Sequence, residues 1–449
     1  MARIYNAWIQ EQDCRTRIKE IPWEGYHRVS LISSEDLHLL QRISGLQKSK
    51  QDQVWQDDTQ TYVSLYLRLL FQLSRVDCLQ ATLVYITDML NDHEERLSFF
   101  IQSTQSGQSN PYDSFTPLLN SPDHYLRLKA LSLISTLLGS HSTAPIDVLK
   151  LVANKTGDAI NSEDPNEQEL GIECLAQIIR QPLARKVVWA LQNFSGVEDQ
   201  PSATPDIISS LTKLIKVSSR MSAQQQYQIA FCFWLLSFDD EIANQLNKRA
   251  AAIPLLIDLT KNAVKEKVTR VLVATLRNLA SKAPEANLGP MLVAGNLLAL
   301  IQNFSARKWS DDELKEDVQW LKEQLEDAKQ KMTTYDEYST ELESGLLRWS
   351  PPHTSDEFWS ANAERLHEKD FQQLKNIIGL LSNASDPIVL AVAANDLLQY
   401  VKHCDVGKKY VERLGGKAAV MNLMTHHDAD VKYRALITVQ QLISHPWSL

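Results

Sequence analysis

Glycine is scarce in this chain, with 14 in 449 residues, under half the usual share of about 7%. Few stretches alternate β-branched and polar residues, so a sheet-rich fold is excluded and helix is favoured. Long apolar runs are missing too. The longest, IAFCFWLL at 229–236, falls far short of the roughly 20 residues that span a bilayer, so no direct membrane insertion is expected. The N-terminal MARIYNAWIQEQDCR has no apolar core of a secretory signal. Five cysteines at 14, 78, 174, 232 and 404 lie too far apart for a CxxC pair or a zinc cluster. They are expected to be reduced thiols of a cytosolic protein, and the four N-x-S/T sequons at Asn154, Asn193, Asn303 and Asn383 are then chance. The net charge of −9 is mild and dispersed, which excludes a basic nucleic-acid footprint.

Signatures of chemistry are equally absent. No GxGxxG or GxSxG occurs, and VGKK at 406–409 and GGKA at 415–418 lack the spaced glycine and the Ser/Thr of a phosphate loop. His403–Cys404 and His426–His427 are adjacent pairs, whereas ligands on one helix face stand three or four apart. His427, Asp428 and Asp430 read as a solvated turn. No catalytic, cofactor or metal constellation is found, and a non-enzyme is expected.

What is present is a repeat. An Asp is followed by apolar residues at +3, +11 and +14 and by alanine at +7. The pattern fits Asp123 (Leu126, Ala130, Ile134, Leu137), Asp386 (Val389, Ala393, Leu397, Tyr400) and Asp428 (Val431, Ala435, Val439, Leu442). Looser copies start at Asp164, with Gly171 at the small position, and near Lys265, with Leu272 there. The offsets line one helical face, the Asp can cap free amides, and the small residue lets neighbouring helices approach. Steps of 41 residues (123 to 164) and 42 (386 to 428) match the armadillo/HEAT period of about 40–47. The last copy, GGKAAVMNLMTHHDADVKYRALITVQQLIS, shows a glycine-opened helix, a turn and a packing helix. The expected fold is an all-α armadillo/HEAT-type solenoid in two lobes, a class that presents extended protein-binding surfaces.

Two successive helix caps place a joint between lobes near 332–334, an ordinary turn inside one solenoid being the other reading; with Lys329, Gln330, Lys331, Met332, Thr333 and Thr334 as its hinge, the joint separates residues 1–328 from 335–449. SDDELKEDVQWLKEQLEDAKQKM (310–332) reads as one helix, capped by Ser310 and Glu313, with a seam of Leu314, Val318, Leu321, Leu325, Ala328 and Met332. Thr334 and Glu337 then read as a second capping box. Beyond it, SGLLRWSPPHTSDEFWSANAERL (344–366) places two prolines and two tryptophans together. Pro351 should end the preceding helix near Trp349, and Thr354 with Glu357 should cap the next. Trp349 and Trp359 then brace a corner, with partner contact as their second reading.

An importin-like carrier of basic peptides is the alternative among armadillo proteins, but its repeated Trp-x-x-x-Asn ladder occurs here once, at Trp189 and Asn193. DEYSTELESGLLRWSPPHTSDEFWSANAERL (336–366) instead resembles the family of regulatory H subunits of vacuolar-type proton ATPases (V-ATPases). The likeness continues in LAVAANDLLQYV (390–401), LGGKAAVMNLM (414–424), DVKYRAL (430–436), ISSEDLHLLQRI (32–43), ITDMLNDHEERLSFF (86–100) and KWSDDELKEDVQWL (308–321). It is looser over about 140–225, which includes the polar stretch SGVEDQPSATPD (195–206), expected to be an exposed loop.

The resemblance implies a non-catalytic component of the pump, without cofactors, in the cytoplasm and on the cytosolic face of the vacuole or endomembrane. It implies that the assembled pump needs the chain for ATP-driven proton transport, and that the chain silences hydrolysis by the detached catalytic sector. The N-terminal lobe is expected to hold the E and G subunits of the peripheral stalk. The C-terminal lobe is expected to face the cytosolic domain of the membrane sector's a subunit, or, after detachment, the B subunit of the catalytic head and the D and F subunits of the rotor. Candidate contacts are the loop residues Ser382, Asn383, Ser385 and Asp386, the basic Lys402, Lys408 and Lys409, and Trp349 and Trp359. The family can carry a longer loop where this chain has SNASDP (382–387).

Overall fold

A computed structural model describes residues 4, 6–102, 110–191, 207–217, 221–293 and 295–444, and among them every regular element is a helix. The stretch 195–206 lies outside the described residues. The fold is all-α and built from helical repeats of armadillo/HEAT type. It forms two compact units, Met1–Ile242 with Ala263–Thr275, and Ala243–Asn262 with Leu276–Leu449.

In the first unit the repeat template becomes physical. Asp123 is the N-cap of the His124–Ser140 helix and accepts from the Leu126 amide, while Leu126, Ala130, Ile134 and Leu137 are buried. Asp164 caps Pro165–Ile178 in the same way through the Asn166 amide. The small residue at +7 has the expected purpose. A Cβ on Gly171 would stand 2.8 Å from the backbone nitrogen of Ile160, so the Ile146–Ile160 and Pro165–Ile178 helices pack with backbones nearly touching. The Leu272 position of the loosest copy is fully buried within Glu266–Lys282.

The second unit repeats the logic. Asp386 caps Pro387–His403, and Asp428 caps Ala429–Ile443 through the Asp430 and Val431 amides. Val389, Ala393, Leu397, Tyr400, Val431, Ala435 and Val439 are buried, and Leu442 is half-buried at the frayed end. Gly415 opens Gly416–Leu423 from a left-handed conformation at φ 81°, which glycine adopts without steric cost.

Three cap assignments shift by one residue. The Asp312–Lys331 helix takes Asp311 as N-cap, its side chain accepting from Leu314, rather than Ser310. Thr334–Ser344 takes Thr333, in a capping box with Asp336, rather than Thr334 with Glu337. Asp356–Asn362 takes Ser355, accepting from Phe358, rather than Thr354. Each sequence holds two overlapping cap signatures, and the observed cap is the residue that itself has extended backbone. The helix before the prolines also ends earlier than expected. It stops at Ser344, because Gly345 turns left-handed at φ 68°, and residues 345–350 run without regular structure to Pro351.

Candidate functional site

The region after residue 334 is assembled around buried polar groups. The seam of the Asp312–Lys331 helix is buried at Leu314, Val318, Leu321 and Leu325, half-buried at Ala328 and Met332, and exposed at Lys329, Gln330 and Lys331. Met332 and Thr333 alone separate this helix from Thr334–Ser344. Beside this link lies a cleft of about 800 Å³. Pro254 and Leu292 line one side, and Met332, Thr334, Tyr338 and Pro351 the other.

Within the cleft wall, Pro351 and Pro352 occupy the first turn of a four-residue helix, Pro351–Thr354, where their missing amides cost nothing. That turn delivers His353 to a fully buried position. Its Nδ1 lies 2.8 Å from Oδ1 of Asp396, also fully buried, and its Nε2 lies 3.4 Å from Oε2 of Glu341. The contact to Glu341 lacks hydrogen-bond geometry and acts electrostatically. Tyr338 donates its hydroxyl to Asp396 at 3.2 Å, and Asn395 donates to the His353 carbonyl at 2.7 Å. Burial alone would push the imidazole pKa down, but the hydrogen bond to Asp396 and the nearby Glu341 carboxylate overcome this and hold it at about 9. This is an imidazolium clamped between carboxylates, and it fastens three helices.

Trp359 is core. It is fully buried, edge-on to Tyr338 at 5.5 Å and to Phe358 at 5.6 Å, which removes it from the candidate partner surface. Trp349 is 40% exposed, with the Arg434 guanidinium 4.7 Å from its ring centroid. The two rings therefore do not close over one corner together. One anchors it inside, and the other stays at the surface.

The remaining candidates are spread over the second unit. Ser382 donates to the Ile378 carbonyl, and Asn383 ends the helix. Ser385 is exposed. Asp386 is committed to capping and to Arg348 at 2.9 Å, which together hold its carboxyl below the usual range. Lys402 and Lys409 are exposed, whereas Lys408 is half-buried and donates to the Ser444 carbonyl and hydroxyl. The structure thus does not gather these residues into one site.

His426, His427, Asp428 and Asp430 form no ligand set. Asp428 is used as a cap, and among the described residues no group of three His, Cys, Asp or Glu is placed to hold a metal ion. The five cysteines are free thiols. Trp189 is buried, and Asn193 lies outside the described residues. Among the described residues no single helix is long and apolar enough to cross a membrane.

Sequence reasoning missed the His353–Asp396 pair. The signal was legible, since Asp396 is the only charge inside LAVAANDLLQYV, and a carboxylate on an apolar helix face needs a buried partner.

Known proteins resemble the chain along its whole length. Two family models, both described as the H subunit of the V-ATPase, match residues 7–325 and 331–447. The V-type proton ATPase H subunit of Drosophila melanogaster is 32% identical over 444 residues, covering 98% of this chain and 90% of that protein. A probable H subunit from Oryza sativa subsp. japonica is 29% identical, covering 94% of each. A probable H subunit from Caenorhabditis elegans is 28% identical, covering 95% of this chain and 89% of that one. With both family halves matched in order along nearly its full length, this chain belongs to the family of V-ATPase H subunits.

Proposed function

We propose that the chain is a non-catalytic regulatory component of the peripheral catalytic sector of a V-ATPase. It is required for coupled proton transport in the assembled pump, and it inhibits ATP hydrolysis once that sector detaches. The observation that carries this reading is the ordered match of both family halves, 7–325 and 331–447. It works at the cytosolic face of the endomembrane. Residues 1–328 hold the E and G subunits of the stalk. Residues 335–449 face the membrane sector's a subunit in the assembled pump, and reach the head's B subunit and the rotor's D and F subunits in the detached sector.

A rotary machine stops when one rigid body grips both stator and rotor. A two-lobed chain does this if its second lobe exchanges between two docking sites of comparable affinity, and removal of one site then shifts the population. A difference of about 5.5 kcal/mol carries it from 1:99 to 99:1. The two-residue link at Met332 and Thr333 and the cleft beside it support a hinge within Lys329–Thr334. Exposed Trp349, Lys402 and Lys409 and the 382–386 loop are the docking candidates of the smaller lobe.

The test adds the full chain to catalytic sector purified from cells lacking it and follows magnesium-dependent ATP hydrolysis. Hydrolysis should fall with chain concentration to saturation. A sector that neither binds the chain nor changes rate would sink the assignment.

A further inference from the structure

Tyr227, Phe231, Trp234 and Phe238 recur every three or four residues along the Ala223–Leu236 helix and just past its end. They form a continuous aromatic row, with successive ring centroids 5.9, 5.4 and 4.8 Å apart. The first three are half-buried, and Phe238 is 41% exposed. The helix already meets its core through another face, where Gln228 bonds Glu173 and the Cys232 thiol donates to the Ile172 carbonyl.

The repeat itself does not demand these rings. Counted from the N-cap, the same four positions are Leu128, Ser132, Ser135 and Gly139 after Asp123, and Glu169, Glu173, Ala176 and Arg180 after Asp164. In those repeats Leu128, Ser135, Gly139, Glu173 and Ala176 are buried, whereas here Phe238 stays exposed and the other three rings are only half-covered. A contiguous, partly exposed aromatic row marks a protein contact, because rigid rings give large contact area at little entropic cost.

Charge around the row selects the partner. The Lys267 ammonium, on an exposed side chain, sits 4.0 Å from the Tyr227 ring centroid. Arg180 lies within electrostatic reach of Glu94 and of Tyr227, and its Nε is buried without a hydrogen-bond partner. Arg185, near Asp239 at the other end, spends one nitrogen on the Ile179 and Arg180 carbonyls and leaves its Nε unbonded. None of these three cations forms an ion pair among the described residues, although the chain carries a net charge of −9.

We propose that the Tyr227–Phe238 aromatic face, flanked by Arg180, Arg185 and Lys267, is a docking surface for an acidic segment of the catalytic sector that carries apolar anchors. The apolar side chains lie across the rings while carboxylates pair with the flanking cations. This rests on the proposed function, and the experiment separates the two. Full-length chain is titrated into sector from cells lacking it, and binding is read by co-sedimentation at about 50 and about 200 mM salt, a range over which exposed charge pairs are progressively screened. Phe238→Asp and Lys267→Glu alter exposed side chains and should melt like wild type, yet each should weaken binding about tenfold or more. Trp234→Ala should weaken it further, and Lys267→Glu should blunt the salt dependence. Wild-type affinity in both exposed-site variants would overturn the docking surface and leave the regulatory reading standing. Failure of the wild-type chain to bind would overturn both.

Discussion

His353 and Asp396, 43 residues apart in sequence, meet at 2.8 Å with both side chains wholly excluded from solvent. Burial pushes the Asp396 carboxyl up, while His353 and Tyr338 oppose the shift. The imidazolium is what makes a carboxylate tolerable inside the Pro387–His403 helix. Removing it leaves a buried charge without its partner, which costs about 3–5 kcal/mol. His353→Ala should therefore lower the urea midpoint of the chain by a corresponding amount. A midpoint within error of wild type would show that the pair contributes nothing.

The same pair sets a pH dependence. Its folded pKa of about 9 stands above the ordinary 6.5, so the folded state binds the proton more tightly than the unfolded chain. The resulting stabilisation is fully present below about 6.5 and is lost as pH rises through about 9. Wild type should lose stability between neutral pH and pH above 9, and His353→Gln, which cannot ionise, should lose less. Parallel curves for the two proteins would refute the charged state.

Close backbone approach makes an opposed pair of predictions for two glycines. A Cβ on Gly139 would lie 2.5 Å from the carbonyl oxygen of Gln177, so Gly139→Ala must push two helices apart, at about 1–3 kcal/mol. Gly379, inside the Glu368–Asn383 helix, has nothing within 4 Å of its Cβ position. Gly379→Ala should instead stabilise by roughly 0.5–1 kcal/mol. Thermal melts of both variants decide this, and equal shifts of one sign would contradict the packing.

These residues also show how far the sequence could be read. The Asp-led template named the caps at Asp123, Asp164, Asp386 and Asp428, because capping and helical periodicity are local. Overlapping Ser/Thr signatures left the caps at Thr333 and Ser355 ambiguous by one residue, since the choice depends on where the preceding chain turns. Trp359 read first as a brace and only second as a partner contact, and the sequence could not exclude the second, for exposure is set by what packs from distant helices. The aromatic row at Tyr227–Phe238 hid inside an apolar run, because periodicity identifies a helix face and cannot say whether that face is covered.

Strain is stored at Lys369, Asp370 and Phe371, three successive residues with φ of 49°, 56° and 60°. Left-handed backbone costs about 1–2 kcal/mol per non-glycine residue. The turn is held by Phe371, whose ring lies 4.6 Å from that of Tyr410 and 5.0 Å from His367. Lys369 is exposed, so Lys369→Gly removes strain without touching that cluster. Glycine's extra unfolded-state freedom returns roughly 0.5–1 kcal/mol, leaving a net gain of up to about 1 kcal/mol. A loss of stability in this variant would mean that the lysine side chain itself holds the turn.

The proposed hinge carries a mechanical consequence. Within the second unit the Pro284–Val293 helix packs on Thr334–Ser344, so two helices from opposite sides of the Met332–Thr333 link touch. They meet at Gly289, where a Cβ would stand 3.1 Å from Oγ1 and 3.2 Å from Cγ2 of Thr340. A swing about Lys329–Thr334 has to part these residues, which makes their contact a latch on the smaller lobe. Gly289→Val drives a branched side chain against Thr340, and overpacking of this kind costs about 1–3 kcal/mol. Because the strain is relieved by opening, the open population should rise about five- to a hundredfold by the same free energy. Limited proteolysis reads this directly, as faster cleavage within 329–334 in the variant, with Gly289→Ala intermediate. Unchanged cleavage, with melts showing that both variants fold, would mean that the link does not open at this contact and that the hinge lies elsewhere.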